Sequence, residues 1–237
     1  GAQAAPFKVW VKDWTADGNP VLPMHLKAAE GDVAIDLLLQ AGKPPVLQGD
    51  HGLSRKGAEP GNASYYYSLT RLPAAGTVRV GGERFAVNGD AWMDREWSTS
   101  SLAADQVGWD WFALQLADGS DLMLYRLRRS DGAADPASSG TAIALDGTSR
   151  PLGLADFQVE SRGVWRSSRS GARYPESWRI RVPGEGLDLD VRPLLVDQEL
   201  DVSIRYWEGA VEISGTRRGA AVRGHGYVEL TGYAGAR

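Results

Sequence analysis

The stretch that most constrains this chain runs from Val107 to Arg128, where two β-patterned segments flank Ala117-Asp118-Gly119-Ser120. Asp-Gly between two such runs is among the strongest short-range hairpin signals, because both residues tolerate the left-handed backbone of a tight turn. With Asp118-Gly119 as the turn, Leu116 is expected to pair with Asp121, Leu114 with Met123, Phe112 with Tyr125 and Asp110 with Leu127. One face of that hairpin is apolar except for Asp121 beside the turn and Asp110 at the far end. The other carries Trp109, Trp111, Arg126 and Arg128, where guanidinium groups can stack on indoles.

Period-2 alternation recurs along the chain, with glycine-rich punctuation. It predicts strands over Phe7 to Lys12, Met24 to Ala28, Val33 to Leu39 and Ala63 to Leu72, and a hairpin of Thr77–Val80 with Arg84–Val87. Lys43 to Gly61 is rich in proline and glycine and reads as a surface loop. Further strands are expected over Thr141 to Leu145, Phe157 to Glu160, Trp178 to Val182, Leu187 to Val191, Val202 to Ser214 and Ala221 to Leu230. Trp178, Ile180 and Val182 face one way and Arg179 and Arg181 the other, the mark of a strand with one buried and one wet face. About eight such strands with short connections suit an up-and-down barrel. The polar stretch Ser98 to Gln106 is the expected boundary, giving one unit over 1–98 and a second over 99–237.

Composition narrows the function classes. With 43% hydrophobic residues the chain can build a sizeable core. A net charge of -4, with no basic stripe, argues against nucleic-acid binding. His25, His51 and His225 show no metal-ligand spacing, and the absence of cysteine removes thiolate nucleophiles and Cys-ligated zinc. No metal or cofactor is expected, and no apolar run reaches the length of a membrane-spanning helix. A chain beginning Gly1-Ala2-Gln3 without Met is expected to be processed or truncated.

Chemistry concentrates where acids meet indoles. Trp92, Trp97, Trp109 and Trp111 lie near Asp94, Glu96 and Asp110, and a carboxylate beside indole is costly to desolvate. Asp110, on the apolar face with Tyr125 in the expected register, is the best candidate acid from pattern alone. Against this stands the plainer reading that Asp110 accepts a tryptophan N–H or pairs with an arginine. Asp94-Arg95-Glu96 has a comparable plain reading as a structural ion-pair cluster. Glu208 and Glu229 lie in strands rich in Tyr and Gly and read either as lumen-lining or as structural.

Five segments carry a resemblance: Gly61 to Ser68, Met93-Asp94-Arg95-Glu96-Trp97, Gly108-Trp109-Asp110-Trp111-Phe112, Tyr206 to Ala210 and Gly226 to Tyr233. Together they resemble the family of AttH-like proteins and carotenoid 1,2-hydratases. The resemblance implies an all-β fold of lipocalin-like antiparallel β-barrels in tandem, the first incomplete here, with 1–98 its C-terminal remainder. The hydratases carry Asp-His-Asn-Trp where this chain has Asp94-Arg95-Glu96-Trp97. Asp94 and Trp97 match, while Arg95 stands for a histidine and, being permanently charged, does not shuttle protons.

Two functions follow from the resemblance. One is a hydro-lyase that adds water to a C=C bond of an apolar, lipid- or polyene-like ligand, with Asp94 and Asp110 as candidate acids. Trp97, Trp111, Tyr125, Tyr206, Glu208 and Glu229 are the candidate ligand-binding residues. The other is a non-catalytic lipid carrier or accessory protein of an ABC transport system, in a periplasmic or membrane-associated setting.

Overall fold

The computed structural model describes residues 1–18, 21–98, 102–202 and 204–234. Strands come in chain order as β1 (Ala2–Gln3), β2 (Phe7–Val11), β3 (Trp14–Gly18), β4 (Met24–Glu30), β5 (Val33–Leu39), β6 (Val46–Leu47) and β7 (Leu53–Arg55). The long β8 (Ala63–Val80) and β9 (Glu83–Trp97) follow, then β10 (Gln106–Leu116), β11 (Asp121–Arg129), β12 (Ser139–Ile143), β13 (Ser149–Gly153) and β14 (Gln158–Arg162). The rest are β15 (Trp165–Arg166), β16 (Arg173–Tyr174), β17 (Ser177–Val182), β18 (Leu187–Pro193), β19 (Glu199–Asp201), β20 (Arg205–Arg217) and β21 (Ala220–Thr231). Among the described residues the helical content is two single 3-10 turns, Leu154–Asp156 and Pro183–Glu185. The protein is all-β, as the alternation requires.

Two compact units emerge, Gly1–Pro45 with Leu69–Asp94, and Val46–Ser68 with Arg95–Arg237. In the first, β1 to β5 follow one another antiparallel, β5 pairs Ala74–Arg79 of β8, and β9 also pairs β8. Its buried apolar residues are few, chiefly Met24, Leu39, Leu69 and Leu72.

The second unit is built on one sheet in the order β13-β12-β11-β10-β21-β20-β18-β17-β14, with β19 added to β20. Its edge strands β13 and β14 are consecutive in sequence, joined through the turn Leu154–Asp156. Leu152 from one edge, Phe157 beside the other and Trp178, Phe112 and Trp207 from between them belong to a single buried cluster. The sheet therefore curls round a packed interior in the lipocalin-like manner. Phe112 meets Trp178 edge-on at 5.7 Å and Trp178 meets Trp207 at 5.9 Å, so the lumen is filled by aromatic rings, each burying on the order of 150–250 Å².

Two sequence expectations need correction here. Residues 46–68, expected with 1–98, group with the second unit. The reason is polar as much as apolar: Thr141 donates to the Gln48 side chain at 2.6 Å, and Ser54 and Tyr125 hydroxyls lie 3.0 Å apart, all buried. The same contacts show that Lys43 to Gly61 is not simply a surface loop, since it contains β6, β7 and the buried Val46, Gln48 and Ser54. The expected boundary stretch 98–106 lies partly outside the described residues, at 99–101.

The hairpin forms, but one residue out of the expected register. Gln115, not Leu116, faces Asp121, Phe112 faces Leu124 and Asp110 faces Arg126. The Leu116 N–H donates to the Ser120 carbonyl at 2.9 Å and Gly119 N–H donates to the Leu116 carbonyl at 3.0 Å, so the loop has three residues. Gly119 takes φ 83, the left-handed position such a loop reserves for glycine, while the Asp118 carboxylate accepts from both the Ser120 N–H and hydroxyl.

Candidate functional site

Because side chains alternate across a strand, the slipped register decides which residues share a face. Asp110 points into the barrel with Phe112 and Leu114, next to Arg126 on β11. It is fully buried, and both of its oxygens are occupied. Oδ2 accepts from Arg126 Nε at 3.1 Å and Nη2 at 2.5 Å, and Oδ1 accepts from Arg128 Nε at 3.0 Å and Tyr233 Oη at 2.9 Å. Arg126 also reaches the Val159 carbonyl on β14 at 3.1 Å, and Arg128 donates to the Thr231 carbonyl. Gly108 clears the way for that last contact, since a Cβ there would meet the Thr231 carbonyl oxygen at 2.4 Å and the Arg128 guanidinium at 2.8 Å. A carboxylate held by two guanidiniums and a phenol is an electrostatic tie across the barrel. It has no accepting position left for a substrate, so the plainer reading of Asp110 is the one its geometry fits. Its expected neighbour Tyr125 lies on the opposite face.

That opposite, outer face gathers most of the candidate ligand-binding residues. Tyr125 faces Trp111, Trp111 faces Glu229, and Glu229 faces Glu208, so four of them form one row across β11, β10, β21 and β20. Tyr206 stands on the same face of β20, two residues before Glu208 and alternating with the inward Trp207. Two glutamates directly opposite each other repel, an arrangement a sheet does not need for stability. Aromatic residues donate to both: Trp109 Nε1 to Glu229 at 2.6 Å, and Tyr227 Oη to Glu208 at 3.1 Å. Burial and the two carboxylates hold the phenols of Tyr206 and Tyr227 above their ordinary value of 10.0, so both keep their protons at neutral pH.

Residues 46–68 close the other end of the row. Tyr66 Oη accepts the Trp111 indole N–H at 3.0 Å, and Tyr125 Oη donates to the Arg55 carbonyl at 3.2 Å. Lys56 sits with its ammonium 3.8 Å from the Tyr125 ring centre and 5.3 Å from that of Tyr66, and pairs with Glu96 at 2.9 Å. Glu96 in turn accepts from the Ser64 hydroxyl at 2.5 Å. Of the expected cluster Asp94-Arg95-Glu96, Glu96 joins this network.

The remaining candidates lie elsewhere. Asp94 belongs to the first unit and accepts the Trp92 indole N–H at 2.7 Å. Trp97 is 54% exposed, with Tyr65 at 5.8 Å and Tyr67 at 6.3 Å between ring centres. Sequence reasoning missed Tyr66, Lys56, Trp109 and Tyr227 as parts of the site. Strict alternation through Tyr65-Tyr66-Tyr67 does set Tyr66 apart from its neighbours. Nothing in the composition of the Pro/Gly-rich segment singles out Lys56.

The curled sheet with a filled interior and an aromatic, carboxylate-bearing outer face defines a lipocalin-like β-protein. The AttH-like family model matches residues 1–233, and the chain belongs to that family. A Nitrosomonas europaea structure assigned as AttH is 35% identical, with a TM-score of 0.87 over 95% of this chain and 69% of that one. Kievitone hydratase from Nectria haematococca is similar at 20% identity and a TM-score of 0.78, covering 95% of this chain and 70% of the other. CghA follows at 16% identity and a TM-score of 0.57, over 100% and 74%. At these last two identities the likeness is one of fold. No curated protein matches the chain significantly in sequence.

Proposed function

We propose that this protein is a hydratase-type lyase that adds water to a C=C bond of an apolar, unsaturated ligand lying along the outer aromatic row. The observation that carries this reading is the facing pair Glu208 and Glu229, set beside Trp111 and hydrogen-bonded by Tyr227 and Trp109. In the proposed cycle one glutamate enters as the acid, carrying the proton, and the other as the base. The protonated carboxyl gives it to one alkene carbon, and the π-faces of the row steady the positive charge at the other. The oxygen of a water molecule bonds to that carbon, and the partner carboxylate takes the water's surplus proton. One water is added and the pair regains its single proton. The hydratase among the structural relatives agrees in chemical class with this reading, and an acyclic carotenoid is the ligand we favour.

The alternative, a carrier serving a transport system, draws on the exposed Tyr65 and Trp97 with the half-buried Tyr67 beside them, but the side-chain-filled interior of the second unit argues against a ligand carried there. The test is to incubate wild type, Glu208→Gln and Glu229→Gln with an acyclic carotenoid in detergent. The hydroxylated product is followed by mass, and binding by tryptophan quenching. Product from wild type, at least 100-fold less from either variant, and retained binding is the expected result. Binding by wild type without product would replace this reading with the carrier.

A further inference from the structure

Beyond the outer row, which it adjoins where Leu200 pairs with Tyr206, the second unit carries a further surface. Between β18 and β20, Leu194, Leu195, Val196, Leu200, Val202 and Ile204 are all exposed, the least of them at 45% and Leu195 at 68%. Six large aliphatic side chains exposed within eleven residues are unlike the single exposed apolar residues that any surface carries.

The backbone beneath residues 194–201 is fixed. Trp207 donates its indole N–H to the Val196 carbonyl at 2.8 Å, and the Gln198 amide donates to the Leu195 carbonyl at 2.8 Å. Leu194 N–H donates to the Ala210 carbonyl and Glu208 N–H to the Gln198 carbonyl. Asp201 pairs with Arg205 across the hairpin of β19 and β20, so Val202 and Ile204 stand at its tip. Buried Glu199 is held by Ser167, Ser170 and Tyr174, which docks the β15–β16 hairpin alongside. The aliphatic side chains are thus held out to solvent by a braced segment.

The charges around this segment supply the complement. Asp197 and Asp201 are neutralised by Arg169 and Arg205. Arg166 and Arg173 face each other on the exposed side of the β15–β16 hairpin, and neither has an ion-pair partner among the described residues. Aliphatic side chains on a protruding tip, bordered by uncompensated arginines, suit the boundary between acyl chains and anionic headgroups. Protein interfaces draw instead on Tyr, Trp and Met, and none of these stands exposed in the segment.

We propose that Leu194, Leu195, Val196, Leu200, Val202 and Ile204 insert shallowly into an anionic lipid bilayer, with Arg166 and Arg173 on its headgroups. The proposal does not depend on catalysis, and its test reads no activity. The chain lacks cysteine, so Leu195→Cys and Ile204→Cys each place one environment-sensitive dye on the segment. Leu145→Cys is the control, because Leu145 is 71% exposed and lies by the β10–β11 turn, at the opposite end of the barrel. With phosphatidylcholine vesicles containing phosphatidylglycerol, the dye at 195 and 204 should shift to the blue and the dye at 145 should not. Binding should weaken at least tenfold in Leu195→Glu/Ile204→Glu and severalfold in Arg166→Glu/Arg173→Glu, each shown folded by its melting curve. No shift with these vesicles, equal shifts at all three positions, or binding unchanged in the aliphatic double variant would overturn the proposal. So would a dimer of the wild type that Ile204→Glu dissolves, which would assign the surface to a second copy.

Discussion

The two faces of the second unit's sheet hold carboxylates in different surroundings. On the inner face Asp110 is enclosed, with two arginines and a tyrosine directed at it. On the outer face Glu229 lies opposite Glu208, and Trp109 and Tyr227 donate hydrogen bonds to the pair. Burial alone, then, does not make a carboxylate reactive. Asp110, hydrogen-bonded on both oxygens, is a structural tie, while Glu208 and Glu229 face a like charge and carry the proposed chemistry.

The strongest way to break this comparison is Asp110→Asn. A buried carboxylate that loses its charge leaves Arg126 and Arg128 with uncompensated cations, which costs about 3–5 kcal/mol in known buried pairs. Urea unfolding of the second unit should show that loss. A variant as stable as wild type would mean that the inner network is not what ties the barrel. Next in size is Glu229→Gln, where a 100-fold loss of turnover corresponds to about 2.7 kcal/mol of transition-state stabilisation. Stability should change by less than about 1 kcal/mol, because a glutamine still accepts the Trp109 N–H and the repulsion with Glu208 disappears.

Alkaline pH sharpens the contrast further. Tyr174, Tyr227 and Tyr233 are held above the ordinary phenol value of 10.0, first by burial and then by Glu199, Glu208 and Asp110 respectively. The native phenols keep their protons where the unfolded ones release them, so the unfolded state binds fewer protons above pH ~10 and stability falls as pH rises from there. Below that pH the contribution is complete. Tyr233→Phe should flatten the decline more than Tyr227→Phe, since Tyr227 is 41% exposed and solvent screens it. Urea midpoints at pH 8 and pH 10.5 measure both.

How far this division could be read from the sequence depends on the strand. On β10 the alternation of Asp110, Phe112 and Leu114 against Trp109 and Trp111 is clear, and the two faces are as expected. On β11 it is not. Leu122, Met123, Leu124, Tyr125 and Leu127 are all buried, so the strand is apolar on both sides and its pattern carries no sign. The turn then had to fix the register, and Asp118-Gly119 fits a two-residue or a three-residue loop equally well. Ser120, through its bonds to Asp118, belongs to the longer one. The pairing of Glu208 with Glu229 was hidden for another reason. It joins strands whose register depends on a ladder running from Tyr206–Thr231 to Arg217–Ala220, and no local motif encodes that length.

The smallest effect expected, and the finest test of the contrast, is at Lys56. Its ammonium stacks over Tyr125 and pairs with Glu96, so it is the one formal cation placed against the aromatic end of the outer row in the described network. If the outer face is built for chemistry rather than cohesion, its removal should cost little. Lys56→Met keeps the aliphatic stem packed on the rings and deletes the charge. The cation–π contact is worth about 0.5–2 kcal/mol, and the ion pair, with Glu96 more than a third exposed, adds about 0–1 kcal/mol. A loss near 1 kcal/mol would lower the melting temperature by about 2–4 °C. Turnover should change more than stability, because the Tyr125–Trp111 end of the row loses its electrostatic anchor while the inner tie of Asp110 is untouched. A melting temperature lowered as far as in Asp110→Asn would show the outer face to be structural in the same sense as the inner one.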